Sequence, residues 1–358
     1  MARIDLDLAH SYQPHPKSDA DYALLPLKMS FEDGGAYALL GPSGCGKTTM
    51  LNIISGLLAP SQGTVFYDGV DKTHATPQER NIAQVFQFPV IYDTMTVGEN
   101  LAFPLRNRSM PTDQIKARVG KIAEMLGMSQ QLDKRAAGLA ADAKQKISLG
   151  RGLVRPDVSA VLFDEPLTVI DPLLKWQLRR QLKQIHQELK LTFIYVTHDQ
   201  VEALTFARQV IVMSNGRAVQ IGTPEALFER PAHTFVGHFI GSPGMNFLPV
   251  RVVGNQLDVA GHILPLPAGL ALEPGDLTLG VRPEYTALAE PGQSGVLPAR
   301  VERIQNVGTY VLLTAGVGEH IVRARLDVYA RLPQVGDTVG LVLLGPHSCF
   351  YQNDELLA

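Results

Sequence analysis

The stretch Gly41-Pro42-Ser43-Gly44-Cys45-Gly46-Lys47-Thr48-Thr49 carries the clearest chemistry in the chain. It fits G-x-x-x-x-G-K-[ST], a spacing in which glycines let the backbone wrap closely around a phosphate chain. Lys47 then reaches the terminal phosphates, and the Thr48 hydroxyl ligates Mg²⁺. Cys45 reads as a small filler within the loop. Two acids, Asp164-Glu165, follow the apolar run Ala160-Val161-Leu162-Phe163. In that position Asp164 suits the Mg²⁺ shell, and Glu165 can polarise a water attacking the γ-phosphate. Thr197-His198 ends a second apolar run and offers an imidazole to the same phosphate or water. Gln87 ends a third, where a glutamine is either simply exposed or a further ligand. Together these residues imply binding of a nucleoside triphosphate.

The elements that must position them are legible in outline. Ala36–Leu40 reads as a buried strand before the glycine loop, and Met50, Ile53, Ile54 and Leu57 give the helical spacing after it. Ile4–Leu8 alternates as an edge strand, Leu24–Phe31 is a second strand, and Gly63–Gly69 is a strand ending in a turn. Asn81–Gln87 is another strand. From Val97 to about Leu153 the pattern turns helical, with Gln114–Leu126 the clearest amphipathic segment. Pro172–Leu189 reads as a helix, Leu191–Val196 as a strand, and Val210–Met213 and Arg217–Ile221 as a hairpin around Asn215-Gly216. Strand ends that converge on one phosphate chain require a parallel sheet, because α/β sheets bind ligands at their carboxyl ends. Beyond Gly241-Ser242-Pro243-Gly244 only short strands remain, from Phe247–Val253 to Val339–Leu344, which suggests a small β-barrel or sandwich.

Composition narrows the class. The chain has 358 residues, 45% hydrophobic and 19% charged, with a net charge of −3 and no basic block, which excludes a nucleic-acid partner. No apolar run reaches the ~20 residues of a membrane span. Two cysteines and an N-terminal stretch interrupted by charge predict a cytosolic protein.

Taken in this order, the motifs closely resemble an ATP-binding-cassette (ABC) ATPase, with ATP and Mg²⁺ as the implied cofactors. Tyr12, by its residue type either a surface aromatic or a base-stacking one, matches the family's base-stacking aromatic. Gly41–Thr49 matches the phosphate loop, and Gln87 the glutamine that senses Mg²⁺ and the membrane partner. Asp164 matches the metal-shell aspartate, Glu165 the catalytic carboxylate and His198 the switch histidine. The stretch from Ile194 to Leu204, the segments Phe239–Pro243 and Met245–Phe247, and the run Gly280-Val281-Arg282-Pro283-Glu284 are similar to the carbohydrate-importer branch. This resemblance implies an α/β cassette with a mixed sheet over residues 1–240, including a helical subdomain over about 88–155. An OB-like, TOBE-type β domain used for dimerisation and regulation would occupy 241–358.

The chain also departs from the family. Where the family reads Leu-Ser-Gly-Gly-Gln at a helix start, this chain has Leu139-Ala140-Ala141-Asp142-Ala143. Ala140 lacks the hydroxyl donor, and Ala141 and Asp142 add side chains where backbone must approach phosphate. Two like charges ~4 Å apart repel by about 4 kcal/mol at an effective dielectric of 20. Asp142 is also expected to cap its own helix. Of the loop after Glu165, Thr168-Val169-Ile170-Asp171, only the aspartate is kept. These features suggest an intact half-site and a defective one, as in the paired ATPases of bacterial glycerol importers. The expected partners are a second ATPase subunit, membrane permeases and, indirectly, a periplasmic solute-binding protein. The expected place is the inner face of the plasma membrane. The exposed apolar segment Phe88–Thr94 either lines a groove for a permease helix or packs on the helical insert. Glu165 and His198 favour an energy-coupling ATPase; the Asp142 stretch favours a regulatory subunit with little turnover.

Overall fold

The computed structural model describes residues 2–267, 270 and 272–357. By compactness the chain divides into one unit up to Pro224 and another from Glu225.

The first unit begins with β1 (Ile4–His10), β2 (Leu24–Phe31), β3 (Ala36–Leu40), α1 (Lys47–Ser55), β4 (Gln62–Tyr67), β5 (Val70–Asp71), α2 (Pro77–Arg80) and β6 (Ile82–Val85). It continues with α3 (Val97–Arg106), α4 (Thr112–Met125), α5 (Ala141–Leu153), β7 (Ala160–Asp164) and α6 (Pro172–Leu189). It closes with β8 (Phe193–Thr197), α7 (Gln200–Phe206), β9 (Gln209–Ser214) and β10 (Arg217–Gly222). Two sheets result: an antiparallel one in the order β2-β1-β4-β5, and a mixed one in the order β10-β9-β3-β8-β7-β6. The expectation of an edge strand at Ile4–Leu8 is therefore corrected. Pairing with β2 and β4 places β1 inside its sheet, and its apolar face joins the core.

Strand character follows burial. The alternation of β2 buries one face, whereas all five residues of β3 are buried because it is covered on both faces. Between the two sheets lies a core in which Met50, Leu51, Ile53 and Ile54 of α1 meet Leu6, Phe31, Leu39, Ile194 and Val196. Helix α1 stops at Ser55 because Gly56 adopts a left-handed cap at φ 83°. Leu57, expected to extend the helical stripe, lies beyond that cap and is exposed. The Asn215-Gly216 turn has positive φ at both residues, 46° and 75°, as the hairpin reading requires.

The second unit consists of α8 (Pro224–Glu229), α9 (Thr234–Phe239) and strands β11 (Asn246–Val253), β12 (Gln256–Val259), β13 (His262–Pro265), β14 (Gly275–Val281) and β15 (Ala287–Ala289). It ends with β16 (Leu297–Asn306), β17 (Val311–Val317), β18 (His320–Leu326), β19 (Thr338–Val342), β20 (Cys349–Gln352) and β21 (Glu355–Leu356). These strands form a sheet β13-β12-β11-β14-β20-β21 and a sheet β15-β19-β16-β17-β18, both antiparallel, around one apolar core. The division at Pro224 precedes the composition change at Gly241 because α8 and α9 are bound into the β unit. The fully buried Arg282 donates to Phe228 O at 2.5 Å, Ile240 O at 2.5 Å and Leu227 O at 3.4 Å, and it lies 4.0 Å from the Phe228 ring.

Replacing Arg282 by Met would leave three carbonyls without their donor. The expected cost is about 3 kcal/mol of stability in this unit, since an orphaned buried acceptor costs ~1–3 kcal/mol. Hydrogen exchange at the β14 and β20 amides measures it, and protection equal to wild type would refute the structural role given to Arg282.

Candidate nucleotide site

The parallel strands β3, β8, β7 and β6 deliver every strand-end residue singled out from the sequence to one edge of the mixed sheet. Leu40 pairs with Thr197 and Asp164 with Val196, so the residues that follow, Gly41, His198 and Glu165, emerge at the same level. The loop after β3 is shaped by its glycines. Gly46 sits at φ 100°, and a Cβ there would lie 2.5 Å from Ala23 O. Gly44 sits at φ 81° with open space beside it, which leaves a concave backbone for a phosphate chain. Gly46 serves as the N-cap of α1 with no side-chain cap bond, so the first N–H groups of the helix are left for an anion. Lys47 is buried; its Nζ donates to Gly41 O and Pro42 O, both at 2.8 Å, and lies 3.7 Å from Cys45 Sγ. Those contacts fold the ammonium back over the loop. Burial raises the Cys45 thiol pKa above its ordinary value, which keeps it a neutral filler.

Three side-chain associations join residues at this edge. The Thr48 hydroxyl faces Asp164 Oδ1 at 3.4 Å, which puts two hard oxygen donors at the mouth of the loop, a set suited to Mg²⁺. His198 Nδ1 lies 3.1 Å from Glu165 Oε2, and the Thr168 hydroxyl donates to the same oxygen at 3.2 Å. Tyr12, 65% exposed, meets the Thr49 hydroxyl through its OH at 3.1 Å and stands edge-on to His10 with ring centres 4.6 Å apart. Its exposed ring is thereby steadied beside the start of α1. Gln87 follows β6 half-buried, and among the described residues no hydrogen bond reaches its side chain.

Glu165 adopts φ 47°, a left-handed conformation uncommon for a residue with a side chain. Its N–H donates to Val196 O at 3.0 Å, and its carbonyl accepts from Thr168 N at 3.2 Å. These bonds hold the strained backbone in place and turn the carboxylate back over the sheet edge.

Two contributors were missed at the sequence level. Glu202, buried, accepts from the Thr197 hydroxyl at 2.8 Å and the Tyr195 hydroxyl at 3.0 Å, with Lys175 Nζ 3.9 Å away. The Thr197 hydroxyl in turn accepts from Asp199 N at 3.0 Å, so the turn carrying His198 is pinned from below. Neither its type nor its spacing marked Glu202 out, because its partners Thr197 and Tyr195 lie on the preceding strand. The second is Gln145 of α5, whose Nε2 donates to Pro166 O at 2.7 Å.

The structure corrects one expectation at α5. Its N-cap is Ala140, with no side-chain cap bond, and Asp142 lies within the first turn. The Asp142 carboxylate acts there through charge near the positive helix end rather than by capping. Segment Phe88–Thr94 divides between its two readings. Tyr92, though 40% exposed, is tied to the helical insert: its backbone N–H and carbonyl exchange two 2.9 Å hydrogen bonds with the Asn100 amide, and its ring lies 4.6 Å from the Arg151 guanidinium. Phe88 and Val90 remain 67% and 55% exposed.

Three family models match the chain: ABC transporter over residues 24–168, MalK OB fold domain over 241–286 and TOBE domain over 279–350. The sn-glycerol-3-phosphate import ATP-binding protein UgpC of Escherichia coli (strain K12) is 41% identical over 322 residues, which cover 89% of this chain and 90% of that protein. Its counterpart in Paracoccus denitrificans is 41% identical over 310 residues, 86% and 85% of the two chains. An uncharacterized ABC transporter ATP-binding protein of Sinorhizobium fredii is 41% identical over 316 residues, 84% and 82%. Among solved structures, cbiO1 from Clostridium perfringens, part of the ABC transporter complex cbiONQ, superposes with a TM-score of 0.57 at 26% identity, over 64% of this chain and 90% of that one. Among the described residues no helix is long and apolar enough to cross a membrane.

Burial raises the Asp164 carboxyl above its ordinary value; the Thr48 hydroxyl opposes the rise and the neighbouring Glu165 adds to it. The folded protein therefore favours the neutral acid. This group's stabilisation is complete below the ordinary aspartate pKa and is lost as pH rises through the raised one. A bound cation favours the carboxylate and reverses that preference. Asp164→Asn should thus hold or raise the melting temperature of the metal-free chain at neutral pH. It should also abolish the extra stabilisation that Mg²⁺ adds to ATP, as thermal melts with and without Mg²⁺ would show. A full Mg²⁺-dependent shift in the variant would place the metal on other ligands.

Proposed function

The chain belongs to the ABC transporter family, as an ATPase working with ATP and Mg²⁺, and from that premise we propose that it energises a bacterial importer as half of an asymmetric ATPase pair. A contrast within one chain carries this reading. The strand-end half-site is complete in residue type and geometry, with Thr48 facing Asp164 and Glu165 facing His198. The start of α5, which the family sets against the partner's γ-phosphate, is Ala140-Ala141-Asp142, uncapped and acidic. Two copies of this chain would place that defect in both composite sites. A second ATPase with an intact Leu-Ser-Gly-Gly-Gln stretch would complete one site and leave the other impaired.

In the complete site the loop Gly41–Thr49 cradles the triphosphate and the exposed Tyr12 ring stacks on the base. Lys47 exchanges its bonds to Gly41 O and Pro42 O for phosphate oxygens, trading neutral acceptors for charged ones. Thr48, Asp164 and Gln87 would hold Mg²⁺, which would supply positive charge to the triphosphate when bound. Glu165 accepts a proton from the attacking water as the water oxygen bonds to the γ-phosphorus. The bond from that phosphorus to the β–γ bridging oxygen breaks, and its electron pair leaves with ADP. His198 fixes the Glu165 carboxylate through their 3.1 Å contact and presents the rest of its half-exposed ring to the γ-phosphate. Exposed Phe88 and Val90 form the surface that docks a permease helix, while Tyr92 anchors the segment. A periplasmic binding protein delivers the solute to those permeases from the far side of the membrane. The solute belongs to the sugar and polyol class, with glycerol the first candidate. Because two relatives are sn-glycerol-3-phosphate import ATP-binding proteins, its 3-phosphate is the alternative solute.

The pairing is tested by turnover of the full chain alone and with a second ATPase carrying an intact signature. Alone, the chain should bind Mg-ATP, hydrolyse it slowly and dimerise weakly; together, the two should show one fast site per pair. Glu165→Gln should leave ATP binding intact and lower turnover of the pair by about 10²-fold, the scale of a lost general base. Full cooperative turnover at two sites by the chain alone would overturn the pairing. Unchanged turnover in the Glu165→Gln pair would make this chain the regulatory member.

A further inference from the structure

Gln145 lies in the second turn of α5 with no exposed surface, and its position is unlike that of an ordinary core side chain. Its amide Nε2 donates to Pro166 O at 2.7 Å and points at Phe86 O at 3.4 Å. Both partners are carbonyl oxygens and only accept, so the amide nitrogen must be the atom between them. The other amide atom, Oε1, is buried without a partner. A Leu or Met would fill the same volume and remove the unpaired Oε1, but it would leave the Pro166 and Phe86 carbonyls without this donor, so the amide leaves one acceptor unpaired in order to satisfy two others.

The two carbonyls belong to the residues flanking the site. Phe86 immediately precedes Gln87, and Pro166 immediately follows Glu165. Other α5 side chains hold the same exposed segment: Lys144 Nζ is 2.9 Å from Asp93 Oδ1, and the Arg151 guanidinium lies 4.6 Å from the Tyr92 ring. Of these three, Gln145 alone also reaches the Glu165 loop. Displacement of the Phe88–Asp93 segment therefore acts on α5 and, through one amide, on the backbone beside the carboxylate.

We infer that Gln145 is a positioning residue that sets the placement of Glu165 against Gln87 and transmits movement of the Phe88–Asp93 segment to Glu165. The inference rests on the roles proposed for Gln87 and Glu165. Because the strained Glu165 backbone is held by few bonds, release of Pro166 O frees the loop to shift, and displacements near 1 Å cost up to ~10²-fold in rate.

The experiment uses the full chain in its reconstituted transporter complex. Gln145→Met keeps length and volume but removes the donor. It should lower kcat about tenfold or more, leave the KM for ATP within about twofold, lower the melting temperature by only a few degrees, the scale of a lost buried hydrogen bond, and drive the ratio of solute-stimulated to basal turnover toward one. A wild-type kcat overturns the inference, and so does a fall in kcat that only accompanies losses of nucleotide binding and thermal stability. Should Gln145→Met not fold, Gln145→Glu decides. Its buried carboxyl donates only when neutral, so its kcat relative to wild type should rise as pH falls from about 8 to about 6. A flat ratio counts against the donor role. Glu165→Gln in the same complex separates the two levels of argument. If it retains turnover, the site assignment fails; if it loses turnover while Gln145→Met does not, only the role of Gln145 fails.

Discussion

The parallel pairing of β3, β8 and β7 is the constraint on which the rest of the structure depends. Its register sets Leu40 beside Thr197 and Asp164 beside Val196, so loops far apart in sequence leave the sheet at one level. Specific packing holds that register: Phe163 of β7 meets the Phe193 and Tyr195 rings of β8, and Glu202 binds the Tyr195 and Thr197 hydroxyls. The sheet thereby brings the glycine loop, the two acids and the imidazole close enough for Thr48 to meet Asp164 and for His198 to meet Glu165.

Around that edge, polar groups do the finer placement. Glu202 sits beneath the His198 turn and gathers the hydroxyls of Thr197 and Tyr195. Glu165 carries a left-handed backbone, held by Val196 on one side and Thr168 on the other. The buried Glu202 carboxylate and the left-handed Glu165 backbone both oppose folding, and both stand at this edge. Stability is given up there for geometry.

The helical segment tells a different story. Helix α5 is well packed, with Ile147, Leu149 and Leu153 fully buried, yet its N-terminus has an alanine cap and an acid in the first turn. The Asp142 charge suits the helix that bears it and opposes a second negative charge brought to the same end. On the pairing proposed above, the Asp142 charge that suits its own helix is what sets this helix end against the family's use of it.

The sequence alone determined the phosphate loop, the strand-end acids, the helix Pro172–Leu189 and the hairpin at Asn215-Gly216, because each depends on short-range chemistry: glycine torsions, apolar runs and turn residues. It also determined that the chain passes from an α/β to an all-β part. Tertiary structure decided what depends on neighbours. The alternation of Ile4–Leu8 fits an edge strand, but pairing with β2 and β4 makes it internal. Composition changes at Gly241, but the carbonyls that satisfy Arg282 lie in α8 and at the end of α9, so those helices fold with the β unit. Gln145 and Glu202 carried no motif in sequence; only the folded chain brings their amide and carboxylate against groups that must be hydrogen-bonded once water is excluded.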